Sequence, residues 1–158
     1  MIGFHGTDIK NFDSIKSTNF VASEGDSEWL GNGVYFFVEG ISDPIKNAKD
    51  WAIVSSWNNN LKLNEYTKFA VISAEINVLD DYLLDLTTHD GMETFIYFRN
   101  KFIEMISKRK LILKNGDFKD GHIINEARYS IRIDVVKSNF YIKFAKERIM
   151  NINFRIPK

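Results

Sequence analysis

Apolar and polar positions follow three rhythms along this 158-residue chain, and each rhythm predicts a different kind of element. Met92, Phe95, Ile96, Phe98, Phe102, Ile103, Met105 and Ile106 recur every three or four positions and end in the basic run Lys108-Arg109-Lys110, so the longest helix is expected there. A second helix of about four turns is expected after Ser42-Asp43-Pro44, where Ile45, Ala48, Trp51, Ala52 and Ser55 share one face and Asn58-Asn59-Asn60 stops the pattern. A third, of one or two turns, follows Thr7 or Asp8 as cap, with Ile9, Phe12 and Ile15 at helical spacing.

Continuous or alternating apolar runs predict strands at Val34–Val38, Thr67–Ile76, Tyr82–Leu86, Asp120–Asn125, Arg132–Val136, Phe140–Phe144 and Arg148–Phe154. Between Asn19 and Asn32 the polar residues Ser23, Glu24, Asp26, Ser27 and Glu28 dominate, which reads as an exposed loop ending at Trp29. No internal repeat, linker or low-complexity block interrupts the order. The expectation is one α+β domain over residues 1–158, with two sizeable helices and six to eight strands.

Composition narrows the class. An apolar fraction of 44% with 14% aromatics excludes a disordered chain. No run of about 18 apolar residues is present, so no membrane contact is expected. The first residues lack the basic and apolar regions of a secretory signal, and a cytoplasmic protein is expected. With no cysteine, disulfides and thiolate metal sites are excluded, and histidines at 5, 89 and 122 are too widely spaced to predict a zinc site.

The net charge is zero but unevenly placed. Residues 1–98 carry 6 Lys and Arg against 15 Asp and Glu, whereas residues 99–158 carry 15 against 6. The plain reading is a solvated helix and strands with basic outer faces. The sharper one is contact with a polyanion, since clustered Lys and Arg are the electrostatic footprint of RNA or DNA binding.

Two stretches carry the candidate chemistry. Phe4-His5-Gly6-Thr7 reads as a strand end with an imidazole, and Trp29-Leu30-Gly31-Asn32-Gly33-Val34-Tyr35-Phe36-Phe37 places two glycines before an aromatic strand. Glycines so placed serve a tight turn or let a ligand approach the backbone. Taken singly, each stretch is more often structural: a histidine at a strand end packs, and a tyrosine in an aromatic run joins the core.

In order and spacing, these stretches and the following helix with Ala48 and Trp51-Ala52 resemble the N-terminal half of ADP-ribosyltransferases of the His-Tyr type. That group includes the poly(ADP-ribose) polymerase catalytic domain, diphtheria-toxin-like enzymes and small bacterial or phage-encoded toxins. The resemblance is good over residues 3–52 and weak at the end of the chain. It implies an ADP-ribosyltransferase-like domain in which two small antiparallel or mixed sheets form a split NAD cleft with flanking helices. It further implies NAD as substrate, with His5 on a ribose hydroxyl, the Gly6 backbone on the nicotinamide carboxamide, Thr7 on a ribose, Gly33 in the cofactor-binding turn and the Tyr35 ring against the nicotinamide.

Loss of nicotinamide from NAD develops an oxocarbenium-like ribose while a cationic ring leaves neutral, so the site must position both halves and exclude water. An aromatic face suits the cationic ring. Polymerase-type members add a glutamate on a late strand. The matching segment here is Ser138-Asn139-Phe140-Tyr141-Ile142-Lys143-Phe144, which places Asn139 or Phe140 at that position and disfavours polymer elongation. Glu126 and Glu39 are the substitutes, and Glu126 is the expected catalytic carboxylate.

The resemblance therefore implies a mono-ADP-ribosyltransferase acting on a macromolecular acceptor, either a protein or RNA or DNA through the basic C-terminal part. A role as a toxin with a protein antitoxin, or as an anti-phage effector, goes with it. The alternatives are an NAD- or ADP-ribose-binding module that has lost the acid, and an NAD glycohydrolase that passes the ribosyl group to water.

Overall fold

The computed structural model describes residues 1–25, 28–110 and 117–140. Their contacts separate into two units, one of Met1–Val21 with Tyr35–Asn77 and another of Ala22–Val34 with Val78–Asn139. The chain is α+β, with small sheets and several helices. Among the described residues no helix is long and apolar enough to cross a membrane.

The first unit is built on β1 (Ile2–Asp8), followed by a 3-10 turn (Ile9–Asn11) and α1 (Phe12–Thr18). Strand β1 is central in an antiparallel sheet between β2 (Phe37–Val38) and β5 (Phe69–Glu75). The register pairs Phe4 with Phe37 on one side and His5 with Ile72 on the other. The expected strand Thr67–Ile76 thus forms as β5, whereas Val34–Val38 contracts to the last two residues.

Helix α2 (Pro44–Ser55) packs on β1 and β5. Its start follows from chemistry legible in the sequence. The Asp43 carboxylate accepts from the amides of Ile45 and Lys46 at 2.9 and 3.1 Å, and Pro44 occupies the first turn, where its missing N–H is no loss. Ala48 and Ala52 are fully buried one turn apart, so the helix backbone itself lies against the sheet. After α2 the Asn-rich segment does not simply end the helix. It turns between β3 (Trp57–Asn58) and β4 (Leu63–Asn64), an unexpected two-residue ladder with Lys62 in the left-handed region at φ 55°.

The second unit contains a 3-10 turn (Asp80–Tyr82), β6 (Leu83–Asp85), α3 (His89–Arg109), α4 (Asp120–Ala127) and β7 (Val135–Lys137). Strands β6 and β7 pair in parallel, Leu84 opposite Val136. The core joins Leu84, Phe95, Phe102, Ile123, Ile124, Ala127 and Ile133. Helix α3 bears out the strongest periodicity. Thr88 caps its start through the Gly91 amide, and Lys110 ends it in the left-handed conformation at φ 50°.

Two expectations need correction. Asp120–Asn125 is not a strand but most of α4, because Gly121, Ile124 and Ala127 return to one buried face at helical spacing and the β-branched pair Ile123-Ile124 packs from that face into the core. The start of α4 is closed by His122, whose Nδ1 accepts from the Lys119 amide at 3.0 Å. The strand expected at Arg132–Val136 begins later, at Val135. Of the strand expected at 140–144 only Phe140 is described, and the remainder lies outside the described residues, as does the strand expected at 148–154.

The parallel pair is fastened by Asp85. Its carboxylate accepts from the Thr87 amide and hydroxyl at 2.9 and 2.6 Å and from the Lys137 ammonium at 2.9 Å. Burial works against its ionisation, yet these donors outweigh burial and hold the carboxyl below the usual range. A folded-state pKa below the unfolded value of about 3.9 gives stability that is present above about pH 4 and lost as pH falls through the lower folded value. Asp85→Asn is therefore expected to lower the urea midpoint at pH 7, with a gap to the parent protein that narrows below about pH 4. A gap of equal size at pH 7 and pH 3 would contradict this.

Candidate functional site

Strands β1 and β2 bring the two singled-out stretches together. Side chains alternate along β1, so Phe4 and Gly6 face α2 while Gly3, His5 and Thr7 face the opposite side. Regular pairing with β2 stops at Phe4 and Phe37. Just beyond it, the imidazole substitutes for the ladder: His5 Nδ1 lies 2.9 Å from the Tyr35 carbonyl oxygen. A carbonyl only accepts, so Nδ1 carries the proton and donates, and the neutral ring then presents Nε2 as an acceptor. Among the described residues, Nε2 makes no hydrogen bond.

The ring of His5 is bracketed by aromatic edges. Phe20 stands at 5.3 Å between centroids and Phe36 at 5.9 Å, with Phe20 and Phe36 4.9 Å apart, all in edge-to-face arrangements. The two phenylalanines hold the imidazole plane while the Tyr35 carbonyl fixes its rotation. Neither was singled out from the sequence as a site residue, although Phe36 is the immediate neighbour of Tyr35 and alternates onto the face of His5.

Gly6 has a structural reason for its identity. A Cβ there would run into the backbone carbonyl of Ala48 and approach the Ala52 methyl at 3.1 Å, so the glycine admits α2 to the sheet. The packing of α2 thus dictates a glycine at this position by itself. Thr7 accepts from the Asn11 side-chain amide at 2.9 Å, a local contact across the 3-10 turn that leaves its hydroxyl proton to donate elsewhere.

The two glycines of Gly31-Asn32-Gly33 differ. Gly31 sits at φ 81°, and a Cβ on it would collide with the Asn125 side-chain oxygen, so it is fixed by turn geometry and by α4. Gly33 pairs with Ser23 in an antiparallel bridge, amide to carbonyl at 2.9 and 3.0 Å, and a Cβ there would meet open space. Of the two, Gly33 is the one whose surface is open to an approaching group.

Helix α4 holds this turn with side chains one and two turns apart. Asn125 accepts from the Asn32 amide at 2.8 Å and donates to the Asn32 side chain at 3.2 Å, while Arg128 donates to the Asn32 carbonyl at 2.6 Å. Gly121 is required as well, because a Cβ there would strike the Glu28 carbonyl. A strand over Asp120–Asn125 could not make these contacts, since Gly121, Asn125 and Arg128 share a face only at helical spacing.

Glu126 lies on α4, exposed, rather than after a strand. It belongs to the second unit, whereas His5 and Tyr35 belong to the first. Glu126 lines a cavity of about 380 Å³ together with residues of α3, Ala127 of α4 and Ser130. Glu39, the second substitute, is exposed just after β2. Asn139 and Phe140 are the last described residues, and the rest of the late-strand segment lies outside them. No group of three His, Asp or Glu side chains suited to a metal ion occurs among the described residues.

The chain is similar to an uncharacterized protein of Methanocaldococcus jannaschii, 31% identical over 153 residues that take in 90% of this chain and 66% of the archaeal protein. It thus spans just under two thirds of that relative's length. No family profile matches the chain, and no solved structure matches it.

Proposed function

We propose that the chain is a mono-ADP-ribosyltransferase of the His-Tyr type, which cleaves NAD and passes ADP-ribose to a macromolecular acceptor. The observation that carries the reading is the 2.9 Å hydrogen bond from His5 Nδ1 to the Tyr35 carbonyl, formed between the two stretches that the resemblance pairs. An imidazole so held offers Nε2 to a ribose hydroxyl in one fixed orientation, which is the positioning that this reaction needs most. In this reading β1 and β2 supply the NAD-binding strands of an ADP-ribosyltransferase fold, with the Tyr35 ring as a further contact.

The bond from ribose C1′ to the nicotinamide nitrogen breaks with its electron pair going to the ring, which leaves neutral. A lone pair on the acceptor forms the new bond to C1′, and the acceptor's proton passes to a base. A role as a toxin or anti-phage effector, with an antitoxin partner, rests on the resemblance alone.

Nicotinamide release from NAD in the presence of cell extract tests the reading. His5→Ala and Tyr35→Ala are each expected to lower the rate by at least about tenfold in proteins that stay folded, the scale of one well-placed interaction of about 1.4 kcal/mol. Tyr35→Ala keeps the backbone carbonyl that orients His5, so it isolates the phenol ring. Unchanged turnover in both variants would remove these assignments. Nuclease and protease digestion of the labelled product identifies the acceptor class.

A second reading is favoured by the sequence Asn139-Phe140, one of which the resemblance sets at the position where polymerase-type members carry the acid. It is a binding module of the same fold, and it predicts saturable binding of NAD or ADP-ribose with no nicotinamide release.

A further inference from the structure

The cavity beside Glu126 is built differently from the His5 face. Its floor is apolar, with Phe98, Phe102 and Met105 from α3 and Ala127 from α4. Positions 98, 101, 105, 108 and 109 fall on one stripe of α3, so Lys101, Lys108 and Arg109 gather on the same wall as the phenylalanine and methionine side chains. Glu104, Glu126 and Ser130 complete the lining.

The cations on that wall are loosely engaged. Lys108 reaches Glu104 at 3.5 Å with both side chains more than two-thirds exposed, a pair worth little in water. Lys101 stands 4.4 Å over the Tyr97 ring, a contact that supplies no countercharge to the ammonium. Arg109 has no ion pair among the described residues. A ligand that fits has a flat apolar body of modest size, a group with more than one negative charge, and hydroxyl or amino donors for the carboxylates. The volume of about 380 Å³ falls in the range of small-molecule sites.

We propose that this cavity binds a nucleotide, with its base over Phe98, Phe102 and Met105 and its phosphate on Lys101, Lys108 and Arg109. The Glu126 carboxylate and Ser130 hydroxyl then meet the sugar hydroxyls or the exocyclic amine of the base. Base stacking on an apolar and aromatic floor beside phosphate-binding cations is the common design of nucleotide-unit recognition. The site lies within the second unit, and the proposal stands independently of NAD cleavage.

Fluorescence anisotropy with a labelled single-stranded oligonucleotide, competed with adenosine monophosphate and run without NAD, tests it. The intact protein is expected to bind saturably and more weakly as salt rises. The triple variant Lys101→Gln/Lys108→Gln/Arg109→Gln changes exposed side chains only and is expected to bind at least about tenfold more weakly while melting as the parent does. Ser130→Phe, which narrows the mouth without altering charge, is expected to weaken binding too. His5→Ala is expected to leave it unchanged, separating this site from the proposed NAD site. Effective competition by the mononucleotide identifies a free metabolite as ligand, and binding of the oligonucleotide alone identifies a strand. Absence of binding by the intact protein, equal binding by the triple variant, or loss in His5→Ala alone would overturn the proposal.

Discussion

Gly6→Ala is expected to destabilise the first unit by about 3 kcal/mol or more, the upper part of the range for overpacking a tight interior. In an ordinary strand the same change is neutral or mildly stabilising, because alanine restricts the unfolded chain. Here the added methyl meets the carbonyl of Ala48, a backbone atom in the middle of α2, and no side chain can swing aside. Either α2 lifts from β1 and β5, uncovering the buried faces of Ala48 and Ala52, or β1 shifts in register. Urea unfolding followed by tryptophan fluorescence reports on this unit through Trp51 and Trp57, and a midpoint equal to the parent's would contradict the close approach of α2.

Ile124→Ala is expected to cost about 2–5 kcal/mol in the second unit, the usual penalty for removing a large aliphatic side chain from a packed core. Among the described residues Ile124 is the largest side chain fully shut off from solvent, and it belongs to the cluster with Leu84, Phe95 and Phe102. Ile124→Val removes one methylene and is expected to cost about 0.5–1.5 kcal/mol, so the pair of variants scales the cavity term. Hydrogen exchange should rise across α3 and α4 together, because these helices bury their apolar faces against one another. Exchange confined to α4 would show that the helix is held by something other than this core.

The elements read correctly from the sequence are those whose local signals agree with their packing. Helix α3 has a long stripe and a basic end, α2 has Asp43-Pro44 at its start, and β5 is a nearly unbroken apolar run, half-buried at the edge of the sheet beside β1 and packed on α2. The misread element is α4. It is only 8 residues long, carries a glycine and two β-branched residues, and lacks an Asp, Ser or Thr cap, all of which argue for a strand over so short a window. What decides for a helix is tertiary: Ile123, Ile124 and Ala127 reach the core, and Gly121, Asn125 and Arg128 grip the Gly31-Asn32 turn.

The site was legible to a similar depth. Sequence order paired His5 with the tyrosine stretch, and the fold places them within hydrogen-bonding distance. What sequence could not convey is that the contact runs through the Tyr35 carbonyl, because a ladder that stops early frees a carbonyl in a way no residue pattern records. Nor could it assign the glycines. Gly6 and Gly31 are dictated by neighbouring elements, whereas Gly33 faces open space.

The most direct test of the proposed activity is the ring nitrogen spectrum of His5 during titration with NAD, by long-range ¹H–¹⁵N correlation with His5→Ala for assignment. The account predicts that in the free protein Nδ1 is protonated and Nε2 bare, and that NAD shifts Nε2 saturably while Nδ1 keeps its proton on the Tyr35 carbonyl. A His5 ring protonated on Nε2, or a spectrum unmoved by millimolar NAD in the folded protein, would contradict it.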